Sequence, residues 1–156
     1  MLRVTPTRFA VKNFKCLRDI SLDLSKLNVV VGPNGSGKTS LIEALILLKQ
    51  TLRYVRGETV NPFLDWWGYN EVVWNHDEKL NIELSIGYNT LWIPEAFLRE
   101  EYGSEGITVE NALYTVVVTG RGGRFRILRE ELRIGEVSIR TEADTYMAVS
   151  YTHLTL

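Results

Sequence analysis

The fold of this chain is decided by the stretch Gly32-Pro33-Asn34-Gly35-Ser36-Gly37-Lys38-Thr39. It satisfies the pattern of a phosphate-binding loop, with glycine at both required positions and Lys-Thr at the end. The glycines let the backbone turn tightly, so that successive amide groups point inward at phosphate oxygens. We therefore predict that this loop holds a phosphate-bearing ligand.

The residues on both sides of the loop supply the strand and the helix that the motif requires. The run Leu27–Val31 is nearly continuous in apolar residues and predicts a central strand covered on both faces. A helix is predicted to begin near Lys38. Apolar residues recur along it at helical spacing and surround it almost completely, which predicts a buried helix; they are Leu41, Ile42, Ala44, Leu45, Ile46, Leu47, Leu48 and Leu52.

Each polar group of the loop has a chemical task in this interpretation. Lys38 reaches the terminal phosphates and the Thr39 hydroxyl ligates magnesium. The start of the helix adds the positive end of its dipole. ATP with Mg²⁺ is the predicted ligand, with Thr39 as the metal-binding residue. The predicted nucleotide-binding residues are Gly32, Pro33, Asn34, Gly35, Ser36, Gly37, Lys38, Thr39 and Ser40.

Further strands are predicted before and after this core, which gives an α/β fold with a flanking antiparallel sheet. Residues 54–69 read as a loop with a short helical turn, and Pro94–Tyr102 as a short exposed helix. The glycine-rich Gly120–Gly123 predicts a hairpin. The predicted strands are Arg8–Lys12 paired with Asp19–Leu24, then Glu71–Asn75, Lys79–Tyr88, Leu113–Thr119, Arg124–Leu132 and Gly135–Arg140.

Composition bounds the class of protein. The 156 residues are enough for one domain with a real core. The net charge of -1 lacks the basic excess of a dedicated nucleic-acid binder, although residues 1–57 carry +7 and the remainder -8. Cys16 is the only cysteine, which excludes a disulfide framework within the chain. With no signal-peptide pattern and no apolar run long enough for a bilayer, we predict a cytoplasmic protein without membrane insertion.

The string Asn13-Phe14-Lys15, an alternating strand and then Leu27–Thr39 resemble the start of ABC-type ATPase heads of the RecF, SMC and OLD-nuclease kind. The resemblance is strong over residues 8–50 and looser to about residue 142. It implies that Asn34 lies against the terminal phosphate and that the segment around Lys15 lies near the nucleotide. It also implies a head-to-head homodimer in the full-length protein, a role in DNA repair, chromosome maintenance or defence, and DNA as a candidate partner.

Three elements of that family pattern are missing. Gln50, on the predicted helix, is the only glutamine, so the later glutamine of the magnesium shell has no match. No Ser-Gly-Gly signature occurs, and no apolar run ends in Asp-Glu. Without the acidic pair there is no general base for water, so we predict ATP binding with poor hydrolysis.

Truncation is the simplest explanation, because in the resembled family these elements come from the carboxy-terminal half. Residues 1–142 then form the amino-terminal part of an ATPase head, with its strand-rich region at about 70–142. Residues 143–156 form a separate tail. Its end, Ser150–Leu156, resembles a peptide read from a sequencing adapter, and an ordinary terminal strand is the alternative.

Other functions remain open from the sequence. The nucleotide-binding subunit of a membrane transporter uses a similar loop, and a non-catalytic module could use ATP as structural glue. A GTPase or small-molecule kinase is disfavoured because no Asn-Lys-x-Asp motif occurs. Two weaker patterns also have functional interpretations: a phosphate-tracking face (Arg121, Arg124, Arg126, Arg129, Arg133) and base-stacking aromatic residues (Trp66, Trp67, Tyr69, Trp74), for which a solvated hairpin and core or partner-interface packing are the favoured alternatives.

Overall fold

The computed structural model describes residues 5–93 and 107–142. In this part of the chain one long helix, α1 (Lys38–Val55), packs on a six-stranded antiparallel sheet. The spatial order of the strands is β2-β1-β3-β4-β5-β6. Their bounds are β1 Arg8–Phe14, β2 Leu17–Asp23, β3 Ile82–Ile93, β4 Ile107–Thr119, β5 Arg126–Ile134 and β6 Val137–Glu142.

The predicted strand pairs are confirmed where the sequence alternates clearly. β1 pairs antiparallel with β2, with Phe9 opposite Leu22. The Gly120–Gly123 turn joins β4 to β5, and its Gly122 and Gly123 take positive φ values of 70° and 74°. Both central strands, β3 and β4, run longer than the sequence predicts, because they pair along nearly their whole length.

One hydrophobic core lies between α1 and the sheet. The helix contributes one face, which includes the fully buried Leu47. Alternate residues of the strands meet it, because side chains one residue apart point to opposite faces of a sheet. The buried core residues are Phe9, Val11, Phe14, Leu17, Ala44, Leu47, Leu48, Phe63, Tyr69, Val72, Val73, Ile82, Leu84, Val116, Val118 and Phe125.

The prediction of a central strand at Leu27–Val31 is wrong for the structure described. These residues pair with no described strand, and Leu27 and Val31 are 79% and 83% exposed. A strand needs a neighbour for its backbone groups, and the antiparallel sheet forms elsewhere, from β1 to β6.

The prediction that α1 is buried all round is also wrong. Ile42 is 61% exposed, and Leu45 and Ile46 are exposed too. The described sheet covers only the opposite face of the helix, which carries Leu47. Ile42, Leu45 and Ile46 therefore form an apolar face of α1 that the described sheet does not cover.

The segment between α1 and β3 is a packed loop. Its short 3-10 turn at Leu64–Trp66 confirms the predicted helical turn. The predicted strand Glu71–Asn75 is wrong, because Val72 and Val73 are both buried and both donate backbone hydrogen bonds to the Tyr69 carbonyl. Two adjacent inward side chains fit a turn, not a strand. The predicted helix Pro94–Tyr102 and the tail 143–156 lie outside the described residues.

No helix in residues 5–93 and 107–142 is long and apolar enough to cross a bilayer.

Candidate nucleotide-binding site

The loop that leads into α1 depends on two glycines with left-handed backbone. Gly35 has φ +81° and Gly37 has φ +91°. Left-handed backbone is unfavourable for residues with a Cβ atom, so glycine is the usual residue there. A Cβ atom at Gly37 would also lie 3.1 Å from the Cys16 Sγ. Dihedral angle and space therefore both require glycine at the position that caps the helix.

The amino terminus of α1 has no side-chain cap. Its backbone hydrogen bonding within the helix starts at Leu41, whose amide donates to the Gly37 carbonyl at 3.0 Å. The preceding amides of Lys38, Thr39 and Ser40 have no acceptor inside the helix. Together with the helix dipole, such free donors favour an anion at this end.

The Lys38 side chain crosses back over the loop. Its Nζ donates to the carbonyl oxygens of Gly32 at 2.8 Å and Pro33 at 2.6 Å, with the Ser36 Oγ at 3.4 Å. These neutral acceptors leave the positive charge uncompensated by any described carboxylate, since Lys38 makes no salt bridge. The ammonium group is thus held in place with its charge available to an anion.

A cleft of about 220 Å³ lies beside this loop. Its lining includes most of the residues that the sequence predicts for nucleotide binding. The other three, Gly32, Pro33 and Ser36, accept hydrogen bonds from the Lys38 ammonium instead. Cys16, in the turn between β1 and β2, closes one side and places its Sγ 3.4 Å from the Ser40 Oγ. The family resemblance implies that the segment around Lys15 lies near the nucleotide, but it does not identify Cys16 as a lining residue. The lining residues are Cys16, Asn34, Gly35, Gly37, Lys38, Thr39 and Ser40.

The residues fit magnesium held together with a phosphate ligand. Thr39 lines the cleft, and hard cations of this kind take hydroxyl, water and phosphate oxygens together. Within residues 5–93 and 107–142, no group of three or more His, Cys, Asp or Glu residues gathers to form a separate metal centre. Beside the Thr39 hydroxyl, such a metal would take phosphate and water oxygens as its ligands.

Lys15 lies close to the cleft and pairs with α1. Its Nζ is 2.7 Å from the Glu43 Oε1, and the same oxygen accepts a hydrogen bond from the Trp66 Nε1 at 3.2 Å. The Lys15 ammonium also lies 5.9 Å from the ring centres of Phe14 and Trp66. The sequence does not single out Glu43 and suggests Trp66 only as a stacking surface, because their contacts with Lys15 arise only in the tertiary fold.

Two arginines of the predicted phosphate-tracking face have protein partners. Arg121 donates to the carbonyl oxygens of Glu78 and Lys79 at 2.8 and 2.7 Å. Arg129 pairs with Glu83 at 3.0 Å. These contacts explain both residues by structural ties between neighbouring segments.

The aromatic residues of the predicted stacking surface are mostly packed. Trp66 meets the Phe14 ring edge-on at 6.1 Å. Tyr69 is buried, its hydroxyl donates to the Leu80 carbonyl at 2.5 Å, and burial raises the pKa of Tyr69. Only Trp67 of the four is largely exposed, at 95%. The alternative of core packing therefore accounts for Trp66 and Tyr69.

This geometry defines a class. An uncapped helix that begins directly after a glycine loop, with a lysine folded across that loop and hydroxyls beside it, is a phosphate-binding loop of the NTPase kind. The antiparallel sheet on the other side of the helix completes an α/β lobe.

The chain belongs to the AAA ATPase domain family, whose model matches residues 7–135. It is 54% identical over 41 residues to the OLD nuclease of Thermus scotoductus, covering 26% of this chain and 8% of that protein. It is 51% identical over 82 residues to the DNA replication and repair protein RecF of Haemophilus ducreyi, covering 52% of this chain and 22% of that protein. It is 41% identical over 46 residues to the chromosome partition protein Smc of Methanocaldococcus jannaschii, covering 29% of this chain and 4% of that protein. The chain thus spans less than a quarter of each of these relatives, and its resemblance to RecF, SMC and OLD-type ATPases is confirmed.

Proposed function

We propose that the loop Gly32–Thr39 binds the phosphates of ATP together with Mg²⁺. The observation that carries this proposal is the convergence of the uncapped α1 terminus and the Lys38 ammonium on one cleft. Lys38 contacts the terminal phosphates, the Thr39 hydroxyl ligates the metal, and Asn34 lies against the terminal phosphate. The backbone amides from Gly35 to Ser40 cradle the remaining oxygens.

Titration calorimetry of the protein with ATP tests this proposal, first with magnesium and then with excess EDTA. We expect a one-to-one binding isotherm with magnesium and weaker binding with EDTA, because Thr39 acts through the metal. The melting temperature should rise with ATP concentration, since a ligand that binds only the folded state stabilises it. Absence of both binding heat and thermal shift at millimolar Mg-ATP would contradict the proposal.

We further propose that this chain binds ATP far better than it hydrolyses it. A water nucleophile needs a positioned base, and the sequence has no apolar run that ends in Asp-Glu. The carboxylate on the first turns of α1, Glu43, already accepts contacts from Lys15 and Trp66.

Phosphate release from Mg-ATP measures this directly, with Lys38→Ala as the blank for contaminating ATPases. We expect the two proteins to be indistinguishable. Steady turnover of about one per second in the parent protein but not in Lys38→Ala, within the ordinary range of enzymes, would reveal a general base elsewhere in the chain.

In a longer protein that contains this lobe, we propose a role in DNA repair, chromosome maintenance or defence. The names of the relatives support the proposal, and the exposed apolar side chains of Leu27–Val31 and α1 support a lobe that is completed by further structure. DNA-stimulated ATP turnover of such a protein tests the role, with phospholipid vesicles as the comparison. Stimulation by vesicles and not by DNA would favour the transporter alternative.

We also propose that two such heads close on ATP as a homodimer. ATP can drive this closure only by the difference between its affinities for the closed dimer and for separate heads. Sedimentation with and without Mg-ATP tests it, in a longer protein whose hydrolytic glutamate is replaced. Monomers under both conditions would favour a stand-alone ATP-binding module. The 156-residue chain should stay monomeric in either case, because it has no Ser-Gly-Gly signature.

A further inference from the structure

We propose that Lys15, Glu43 and Trp66 form a positioning cluster that fixes the β1–β2 turn as one wall of the phosphate cleft. The turn consists of Lys15 and Cys16, and the cluster joins it to α1 and to the loop before β3. This inference rests on the proposed binding of Mg-ATP. It assigns positioning roles to Glu43, which no feature of the sequence singles out, and to Trp66, which the sequence suggests only as a stacking surface.

The turn contacts the cleft directly. The Cys16 Sγ lies 3.4 Å from the Ser40 Oγ, and a Cβ atom on Gly37 would approach the same sulfur to 3.1 Å. The turn is therefore in direct contact with the start of α1. A small movement of the turn therefore changes the width of the cleft where the helix amides meet their ligand.

The backbone in and before the turn has a conformation that is unfavourable for residues with a Cβ atom. Lys15 in the turn and Asn13 near the end of β1 have φ values of +50° and +58°, a region that residues with a Cβ atom occupy rarely. The Lys15 amide donates to the Val72 carbonyl at 2.6 Å, and the Asn13 side chain donates to the Asn81 carbonyl at 2.9 Å. Contacts from the rest of the fold therefore maintain this shape.

Glu43 is the point at which these contacts meet α1. Its Oε1 lies 2.7 Å from the Lys15 Nζ and 3.2 Å from the Trp66 Nε1. The Lys15 and Glu43 side chains are only 24% and 22% exposed, so water screens the pair less than it screens a surface pair. Glu43 also lies one helical turn beyond Thr39, where an unpaired carboxylate would repel phosphate. Lys15 thus both anchors the turn and cancels that charge.

Two variants test the positioning role without changing the net charge of the site. Lys15→Met/Glu43→Gln removes the ion pair, and Trp66→Phe removes the indole donor to Glu43 and part of the ring beside Phe14 while the ion pair stays. The matched control is Arg53→Met/Glu58→Gln, which removes a more exposed ion pair of 3.2 Å at the other end of the same helix.

The readout is the single cysteine, because Cys16 is exposed and lies at the cleft. Iodoacetamide alkylation of Cys16 is timed with and without saturating Mg-ATP, and Mg-ATP affinity is measured by calorimetry. In the parent and control proteins Mg-ATP should slow alkylation strongly. In both cluster variants we expect about fivefold faster alkylation without nucleotide, weaker protection by Mg-ATP, and about fivefold lower affinity. This is the size expected for loss of one partly buried ion pair in the double variant and of one hydrogen bond to a carboxylate in Trp66→Phe.

The outcomes separate the two proposals. If the parent protein binds no Mg-ATP, the proposed function fails, and nucleotide-free alkylation still tests the position of the turn. A lower melting temperature in the cluster variants, with parent-like alkylation, protection and affinity, would reduce the cluster to a structural role. Loss of affinity in the double variant alone, with Trp66→Phe like the parent, would also overturn the inference, because Lys15 would then contact the ligand itself.

Discussion

Lys38→Ala is expected to weaken Mg-ATP binding by about 100-fold, because hydrogen bonds between charged groups are worth about 1.5–3 kcal/mol. The Lys38 ammonium lies across the loop, and within the described part of the chain it makes hydrogen bonds only to the neutral oxygens of Gly32, Pro33 and Ser36. Its positive charge is therefore available to the phosphates. After truncation to alanine, the helix amides remain, but the terminal phosphates lose their cation.

Calorimetry of Lys38→Ala, the parent and Lys49→Ala measures the effect. Lys49 is the matched control, since it is an exposed lysine on the same helix, three turns further from the cleft. We expect Lys49→Ala to bind like the parent. Thermal unfolding shows whether the lost contacts to Gly32 and Pro33 loosen the fold. Equal affinity in all three proteins would remove Lys38 from the site and the phosphate-binding proposal with it.

The sequence predicts the conformation of the loop and the start of α1 because both are set locally. Eight consecutive residues supply the loop, and the helix that follows begins where the motif requires it, at Lys38. The hairpin at Gly120–Gly123 is predictable for the same reason, since its positive-φ positions are occupied by glycine. In each case the conformation is set by residues adjacent in the chain.

The sequence does not predict features that depend on contacts between residues far apart in the chain. The apolar run Leu27–Val31 has the composition of a central strand, but these residues pair with no strand of the described sheet and are largely exposed. The cluster of Lys15, Glu43 and Trp66 spans fifty-one positions and depends on how α1 crosses the sheet. No periodicity within a single element reports such a contact.

The register of strand pairing is a second feature that the sequence pattern does not predict. A bulge between Val117 and Val118 shifts the pairing of β4 with β5, so that Glu130 lies opposite Val116 on the helix side of the sheet. There the Glu130 carboxylate accepts a hydrogen bond of 2.7 Å from the Tyr114 hydroxyl. Burial raises the pKa of Tyr114, and the carboxylate raises it further. The alternation of strand residues predicts which face of the sheet a glutamate occupies, but it does not show that Tyr114 is the partner of Glu130.

Gly120→Ala is expected to destabilise the fold by about 3 kcal/mol, the upper end of the usual cost of overpacking. Gly120 has an ordinary negative φ of -123°, so its backbone would accept alanine. Space would not, because the added Cβ atom would lie 2.4 Å from the Tyr69 Cβ and 3.0 Å from a ring carbon of Phe63. A Cβ atom cannot rotate away, so the backbone at Tyr69 must move.

That movement is opposed on several sides. The Tyr69 carbonyl accepts the amides of Val72 and Val73 at 3.0 and 2.9 Å, and the Tyr69 ring packs on Phe63 at 5.1 Å. Urea unfolding of Gly120→Ala and Gly122→Ala separates space from dihedral angle, because Gly122 has φ +70° with nothing within 4 Å of the added atom. The second variant should lose only about 1 kcal/mol, the cost of left-handed backbone. If Gly120→Ala were no less stable than Gly122→Ala, the close packing of the β4–β5 hairpin on the loop before β3 would be wrong.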